Sequence, residues 1–427
     1  MRVLVTGANG FIGARVVAAL RDAGHEVVVA VRKPPAQGRD DAVVICDFAR
    51  DLDPQIWIPR LAGIDAAVNC AGILRETRAD KFQSIHVDTP LALFRACAAV
   101  GVRRVIQISA LGDQGDGEFI ASKHRGDQAL AELDLDWLVL RPGLVYSAHG
   151  AYGGTSLLRA LAVLPGVMLL PGDGTQKLRP LAAEDLAASV VAALARPQLR
   201  AETLEVVGPE ILTLRDYLLA WRGWFGLRKP CVLTTPQPLV AATVALGEAW
   251  GRGPICRVIA HLLERERVGG AQALERMQSM LGVMPAALAQ ALVQRPCQAP
   301  DLWFARWYVL RPLLICTLAL VWIASGSVGL LLPATAAQAA LPHWPPALVS
   351  GITLASSMAD LALGLMLLLG QRVRVVLSLM LAMVAAYTIV IGTLAPEHWR
   401  DPFGGLLKNL PIAGILIALL ALEPRGR

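Results

Sequence analysis

The feature that most constrains this chain stands at its start. The apolar run Val3-Leu4-Val5 leads directly into Thr6-Gly7-Ala8-Asn9-Gly10-Phe11-Ile12-Gly13, and a helical pattern follows over 11–23. A short strand, a glycine turn and a helix are the context in which a glycine string becomes a phosphate site. Gly7 can take the backbone angles of a tight strand-to-helix turn. Gly10 leaves no side chain between the backbone and a pyrophosphate, and Gly13 allows the helix to lie close on the sheet. The helix N-terminus then turns unpaired N–H groups, among them those near Asn9, Phe11 and Ile12, toward the phosphates. A chain that begins this way is expected to bind a dinucleotide.

The next elements repeat the arrangement. Val27-Val28-Val29-Ala30-Val31, Val43-Val44-Ile45-Cys46-Asp47, Ala66-Ala67-Val68-Asn69-Cys70-Ala71-Gly72 and Val105-Ile106-Gln107-Ile108-Ser109-Ala110 are apolar runs ending in small or polar residues. A helical stretch over 81–100 separates the last two. Fully apolar strands alternating with helices predict βαβ units and a doubly wound parallel α/β sheet, with its ligand at the carboxyl ends of the strands. At the end of the second strand, an acid about 20 residues past the glycines would accept the ribose hydroxyls of NAD. Here Arg32 and Lys33 stand instead. Two cations suit a 2′-phosphate, so the sequence favours NADP(H), with NAD(H) as the alternative cofactor and a solvated basic loop as the bland account of the pair.

Composition decides where the water-soluble part ends. The chain is 55% hydrophobic and 17% charged, and the excess collects after Trp303. Four apolar runs lie there, near 309–332, 346–369, 375–394 and 410–422. The first three have the length of a bilayer core, and the last reaches it only by including Gly404 to Lys408. Arg306, Arg311, Arg372, Arg374, Arg425 and Arg427 alternate with a first loop (333–345) that has no Lys or Arg. Arg400 and Lys408 are offset by Glu397 and Asp401. The positive-inside rule then predicts a multi-pass inner-membrane protein with its N-terminal domain and both termini cytoplasmic. Asp360, between Ser356-Ser357 and the rest of the second run, is an intramembrane polar residue: it marks a polar cavity or a paired charge, or it is a protonated carboxyl bonded to a neighbouring helix. Residues 229–302 read as a helical linker. Within it Ile255, Val258, Ile259, Leu262 and Leu263 face away from Arg257, His261, Glu264 and Arg265, an amphipathic pattern suited to packing on protein or to the membrane interface. The net charge of +6 includes no basic block interleaved with aromatics, which argues against nucleic acid. Seven scattered cysteines, with no Cys-x-x-Cys pair, predict free thiols and no metal site. The N-terminal apolar run is too short for a signal peptide.

The spacing Thr6-Gly7-x-x-Gly10-x-x-Gly13 resembles the extended and atypical short-chain dehydrogenase/reductases. The likeness continues through Leu140-Arg141-Pro142-Gly143-Leu144-Val145-Tyr146, Gly172-Asp173-Gly174-Thr175-Gln176, Arg179-Pro180 and Glu184-Asp185-Leu186-Ala187. In detail it is similar to the atypical branch that includes the Rossmann-type accessory subunit of respiratory complex I. The resemblance implies that Asp47 lies near the adenine, that Ala71 and Gly72 let backbone pass close to the cofactor, and that Pro142 and Val145 meet its nicotinamide end. It also implies catalysis by a Ser after the fifth strand and a Tyr-x-x-x-Lys on the next helix. Ser109 and Lys123 match, but the residue four before Lys123 is Phe119, which has no proton to give or accept. Lys123 is then expected to hold the nicotinamide ribose, while His124 and Asp113 are expected at the surface.

The membrane runs, with Trp303, Trp307, Trp344 and Trp399 at their edges and the stretch Trp399-Arg400-Asp401-Pro402-Phe403-Gly404, resemble the DoxX-like family. The expected domains are 1–228 (dinucleotide-binding), 229–302 (linker) and 303–427 (four transmembrane helices). Two functions follow from the two resemblances. One is a membrane-anchored NAD(P)H-dependent oxidoreductase whose small-molecule substrate is lipophilic, such as a quinone or isoprenoid. The other is a non-catalytic cofactor-binding module that stabilises or assembles a respiratory complex. Membrane lipid is a partner under either, and protein partners or a homo-oligomer are left open.

Overall fold

The computed structural model describes all residues except 34–41, 251–267, 333–334, 336–337, 339–342, 395, 401–403 and 424–427. The amphipathic pattern at 255–265, Cys256, Asp401, Arg425 and Arg427 lie outside the described residues. The chain divides into two units, Met1–Ala305 and Arg306–Arg427.

The first unit is built on strands β1 (Arg2–Thr6), β2 (Glu26–Val31), β3 (Ala42–Ile45), β4 (Ala66–Asn69), β5 (Arg104–Ile108) and β6 (Asp136–Pro142). Helices α1 (Gly13–Asp22), α2 (Thr89–Val100) and α3 (Glu118–Ala131) connect them. Beyond β6 come α4 (Gly154–Ala162), β7 (Val167–Pro171), α5 (Ala183–Leu194), β8 (Glu202–Val206), α6 (Leu214–Trp224), β9 (Cys231–Thr235) and α7 (Gln237–Trp250). Seven strands form one sheet in the order β8-β6-β5-β4-β1-β2-β3, and every pairing is parallel. The reversal of direction beside β1 places the crevice between the β1 and β4 ends, where such sheets take their ligands.

Both faces of the sheet are covered, which is why its strands read as continuous apolar runs. On one face Val3, Val5, Val27, Val29, Val68, Ile106 and Leu138 pack with Val16 and Leu20 of α1 and Leu186 and Val190 of α5. On the other, Leu4, Val28, Ala67, Val105 and Val139 meet Leu93, Phe94 and Cys97 of α2, with Trp57 and Leu130. Helix α2 starts with Pro90 in its first turn and stops at Gly101, whose φ of 81° breaks the helical path. A smaller core gathers Tyr146, Leu158, Met168, Tyr217, Leu218 and Trp221 beside the sheet.

The stretch read as a linker contributes to these cores. Helices α8 (Ala273–Leu281) and α9 (Leu288–Gln294) bury Met277 and Leu281 against the sheet, and Leu288 and Leu292 in the smaller core.

In the second unit, α10 (Ala299–Leu331, which belongs to this unit from Arg306 onward), α11 (Pro346–Leu368) and α12 (Val373–Leu394) are long and apolar enough to cross a membrane. The fourth helix, α13 (Asn409–Leu422), has 14 residues and therefore spans about 21 Å, short of a full bilayer core. Its expected extension through Gly404 to Lys408 is a turn, with Gly404 at a φ of 66°. The helices pack through Leu318, Trp322, Leu367, Met380 and Leu416. Small residues let the backbones approach: a methyl on Gly364 would stand 3.0 Å from the Ala319 carbonyl oxygen. Arg311 donates two ways to the Glu423 carboxylate at 2.8 and 3.0 Å, and Arg374 donates to the Glu423 carbonyl at 2.6 Å. The start of α12 and the end of α13 therefore share one end of the bundle, level with Arg311 in the first half of α10.

Candidate cofactor and active site

The glycine turn has the geometry its sequence requires. Gly7 sits at a φ of 63°, and a methyl there would stand 2.8 Å from the Cys70 carbonyl oxygen. Gly10 donates its N–H to the Gly7 carbonyl at 2.8 Å. A methyl on Gly10 would meet only that same oxygen, at 3.0 Å, so its other sides face open space. Gly13 is crowded by the turn itself rather than by the sheet: a methyl there would lie 2.8 Å from the Gly7 carbonyl carbon and nearer still to its oxygen. Asn9 and Gly10 are exposed, Phe11 and Ile12 half-buried. Arg15 packs over the Phe11 ring at 5.1 Å and donates to the Phe11 carbonyl at 3.2 Å. The Ala14, Arg15 and Val16 N–H groups are bonded to the Gly10 and Ile12 carbonyls at 3.0–3.1 Å, so it is the exposed backbone of Asn9 and Gly10, ahead of that turn, that faces the opening. These residues fit the pyrophosphate of a dinucleotide.

Below the turn runs a polar ladder that the strand patterns alone did not single out. Thr6 donates to Asn69 Oδ1 at 2.5 Å, and Asn69 Nδ2 donates to Gln107 Oε1 at 2.7 Å. The Ala71 N–H also reaches Asn69 Oδ1, at 3.2 Å. All three side chains are buried at the carboxyl ends of β1, β4 and β5. The available signal was a polar residue at or next to the end of each apolar run: Thr6 and Asn69 close β1 and β4, and Gln107 is the last but one of β5.

At the end of β2, Arg32 is held by two carboxylates. It donates to Asp80 at 2.9 Å and lies 3.6 Å from Asp47. Asp47 also accepts from the Ala49 N–H at 3.1 Å. Asp80 had no place in the sequence analysis, because it is 48 residues from Arg32. Lys33 is exposed.

The opposite wall centres on Lys123. Its Nζ donates to the Ala71 carbonyl at 2.9 Å and the Ile108 carbonyl at 3.2 Å, which leaves one of its three protons uncommitted. Burial lowers its pKa from 10.5 to about 8, against the pull of Asp127. Gly72 is the neighbour that makes room, since a methyl there would be 3.0 Å from Nζ. Ser109 is buried and gives its hydroxyl proton to Asp127 at 2.7 Å. Asp127 in turn accepts from Arg141 at 2.9 and 3.0 Å. Ser109 thus helps hold a buried ion pair, and only its lone pairs remain for other partners. Pro142 ends β6 and accepts the Leu111 N–H at 3.0 Å through its carbonyl. Val145 pairs with Leu181 in a short parallel bridge.

Phe119 belongs to an aromatic group with Phe82 (6.3 Å) and His86 (5.7 Å). His86 is fully buried, and its Nε2 accepts the Ile73 N–H at 3.1 Å. Its Nδ1 therefore carries the proton and donates to Ser122 at 2.8 Å, and Ser122 donates to the Phe119 carbonyl at 3.0 Å. Burial first, then Lys123 and Arg125, lower the ring's pKa to about 2, so it is neutral. The expectation of a surface His124 is corrected: it is buried, with Nε2 3.1 Å from the Ala110 carbonyl, because α3 turns that side toward the β5 end. Asp113 does lie outside, capping the turn Gln114–Asp116.

Asp360, in the middle of α11, is buried and accepts a hydrogen bond from Ser325 of α10 at 3.1 Å. Of its sequence neighbours, Ser356 donates to the Thr353 carbonyl at 3.1 Å, while Ser357 is buried beside Gly329 of α10. Among the described residues no cluster of His, Cys, Asp or Glu has the arrangement of a metal site.

Residues 3–207 match the NAD dependent epimerase/dehydratase family, and residues 319–417 match the DoxX-like family. A ceramide reductase of Caulobacter vibrioides is 28% identical over 253 residues, covering 58% of this chain and 78% of that protein. NADH dehydrogenase [ubiquinone] 1 alpha subcomplex subunit 9, mitochondrial, of Arabidopsis thaliana is 27% identical over 260 residues, 56% of this chain and 62% of that one. Among solved structures, MoeE5 in complex with UDP-glucose and NAD superposes with a TM-score of 0.54 at 20% identity, covering 72% of this chain and all of that one. That last likeness is one of fold.

Proposed function

Because the first half of this chain belongs to the NAD dependent epimerase/dehydratase family and its last quarter to the DoxX-like family, we propose that it is a membrane-anchored reductase. It draws on a nicotinamide dinucleotide and acts on a lipophilic substrate such as a quinone or isoprenoid. The observation that carries the reading is the combination of an open glycine turn with a buried Lys123, in a chain that also has three helices long enough to span a bilayer. The cofactor, when bound, supplies a hydride. Lys123, with one uncommitted proton, orients the ribose. Phe119 walls the cleft and brings no proton. A quinone suits such a site, because its reduced oxygens can take protons from water rather than from a phenol. The name of the ceramide reductase, which points to a long-chain lipid, supports the substrate class.

Arg32 and Lys33 support NADP(H) as the preferred cofactor, with Arg32 leaving Asp80 to meet the 2′-phosphate. The basic residues at the helix ends support an inner-membrane protein with the dinucleotide domain in the cytoplasm. A second reading, a cofactor-binding module that stabilises a membrane complex, is favoured by Phe119 and by the relationship to a complex I subunit.

The test is oxidation of NADPH by full-length protein in nanodiscs supplied with short-chain quinones. Turnover that disappears in Gly10→Val and Lys123→Met supports the reductase. Tight NADPH binding with no turnover on quinones or long-chain keto lipids supports the module.

A further inference from the structure

Over Gln237 to Leu246, helix α7 carries almost only apolar side chains and yet is mostly exposed. Over Gln237 to Gly247 it has no charged residue, and Leu239 and Leu246 are 58% and 72% exposed. A helix with that composition is normally covered. It follows β9, which pairs in parallel with β7, and this two-stranded ribbon also exposes Leu233 and Leu169. The C-terminal end of α7 is fixed to the cleft side of the same unit: Arg75 donates to the Gly247 carbonyl at 2.9 Å and lies 3.4 Å from the Glu248 carboxylate. The patch is therefore an anchored part of the fold, with four large aliphatic side chains turned to solvent.

We propose that β9 and α7 form a docking surface for an anionic bilayer, with the leucines set among the acyl chains and the ribbon start among the headgroups. Two observations select this occupant. Between residues 228 and 247 the only charges are Arg228 and Lys229, both positive and exposed, while the two carboxylates beside this stretch are engaged, Glu248 with Arg75 and Asp173, next to the Gly172–Thr235 bridge, with Thr175. Such a pairing of cations and aliphatic side chains matches anionic headgroups above hydrocarbon. The same chain also carries three candidate spans, so a lipid surface is always within reach of this unit.

The test uses full-length protein in phosphatidylglycerol/phosphatidylcholine nanodiscs, with a photo-activatable side chain at position 246 or, separately, at 239. Position 134, whose side chain is 94% exposed, serves as the water-facing control. Lipid adducts are expected at 246 and 239 and not at 134. Pure phosphatidylcholine, or Arg228→Gln with Lys229→Gln, should lower the yield by about five-fold for each cation lost to the contact. Adducts to protein, whether a second copy or the helical unit, or yields at 239 and 246 no higher than at 134, would overturn the proposal.

Discussion

Gly10 and Gly13 are both glycines of one turn, but the space around them differs, and so should the result of replacing each by alanine. At Gly13 the added methyl meets the backbone of Gly7 and Ala8, at 2.8 Å from the Gly7 carbonyl carbon and 3.1 Å from the Ala8 Cα. No side chain can rotate away, so the turn itself must move. Overpacking of this kind costs typically about 1–3 kcal/mol, and the better helix propensity of alanine returns less than about 1 kcal/mol. A net loss of about 2 kcal/mol corresponds to several degrees in the unfolding temperature of a unit this size. At Gly10 the methyl meets one atom, at 3.0 Å, and otherwise points into the opening. Gly10→Ala should unfold within a degree or two of the parent but bind dinucleotide at least about ten-fold more weakly, a loss of about 1.4 kcal/mol. Thermal unfolding followed by tryptophan fluorescence, together with titration of NADPH and NADH, measures both quantities on the same preparations. If Gly13→Ala proves as stable as the parent, or Gly10→Ala binds normally, the assignment of the two glycines is wrong.

Other outcomes follow from single contacts. Phe119→Tyr restores a phenol four residues before Lys123, and general acid catalysis of carbonyl reduction should rise by about 10²- to 10⁴-fold over a negligible parent rate; a parent already active on simple carbonyls, with no gain, would point to another donor. Asp80→Asn removes one of the two carboxylates that hold Arg32, leaving Asp47, and should raise the NADPH-over-NADH preference by about two- to five-fold, the worth of an exposed ion pair; a fall in that preference would remove Arg32 from the 2′-phosphate site. His86 stays neutral in the fold down to about pH 2, whereas the unfolded ring takes up a proton near 6.5. The unfolded state therefore binds more protons between those values, and stability should fall as pH drops below 6.5. His86→Gln should flatten that fall, and an unchanged slope in denaturant titrations would refute the buried neutral ring. Reporter fusions after Leu341 and after Arg427 should localise to opposite sides of the membrane; matching signals would contradict four antiparallel membrane helices.

Much of the architecture could be read from the chain, for a physical reason. Strands covered on both faces must be apolar throughout, so β1, β2, β4 and β5 stood out as runs, and the glycine turn is set by local backbone angles. Contacts between distant residues left no such trace. The Arg32–Asp80 pair joins the ends of β2 and a loop beyond β4, and the orientation of His86 depends on Ile73 and Ser122 together. Residues 229–302 could be read as helical but only as a linker, with nothing to tell which surface the helices would meet, and Met277 and Leu281 enter the sheet core. The short α13 was hidden because Gly404 to Lys408 is apolar enough to continue a span, while the positive φ of Gly404 marks a turn there.

The ladder of Thr6, Asn69 and Gln107 has a mechanical consequence. Three strand ends that would otherwise fray independently are cross-braced side chain to side chain, so the floor beneath the glycine turn deforms as one plate. Any tightening around a dinucleotide must then come from the loops rather than from this floor, chiefly the loop that runs on from Gly72 to Asp80. In hydrogen exchange, the β1, β4 and β5 ends should keep one common rate with and without cofactor, while residues 72–80 slow on binding.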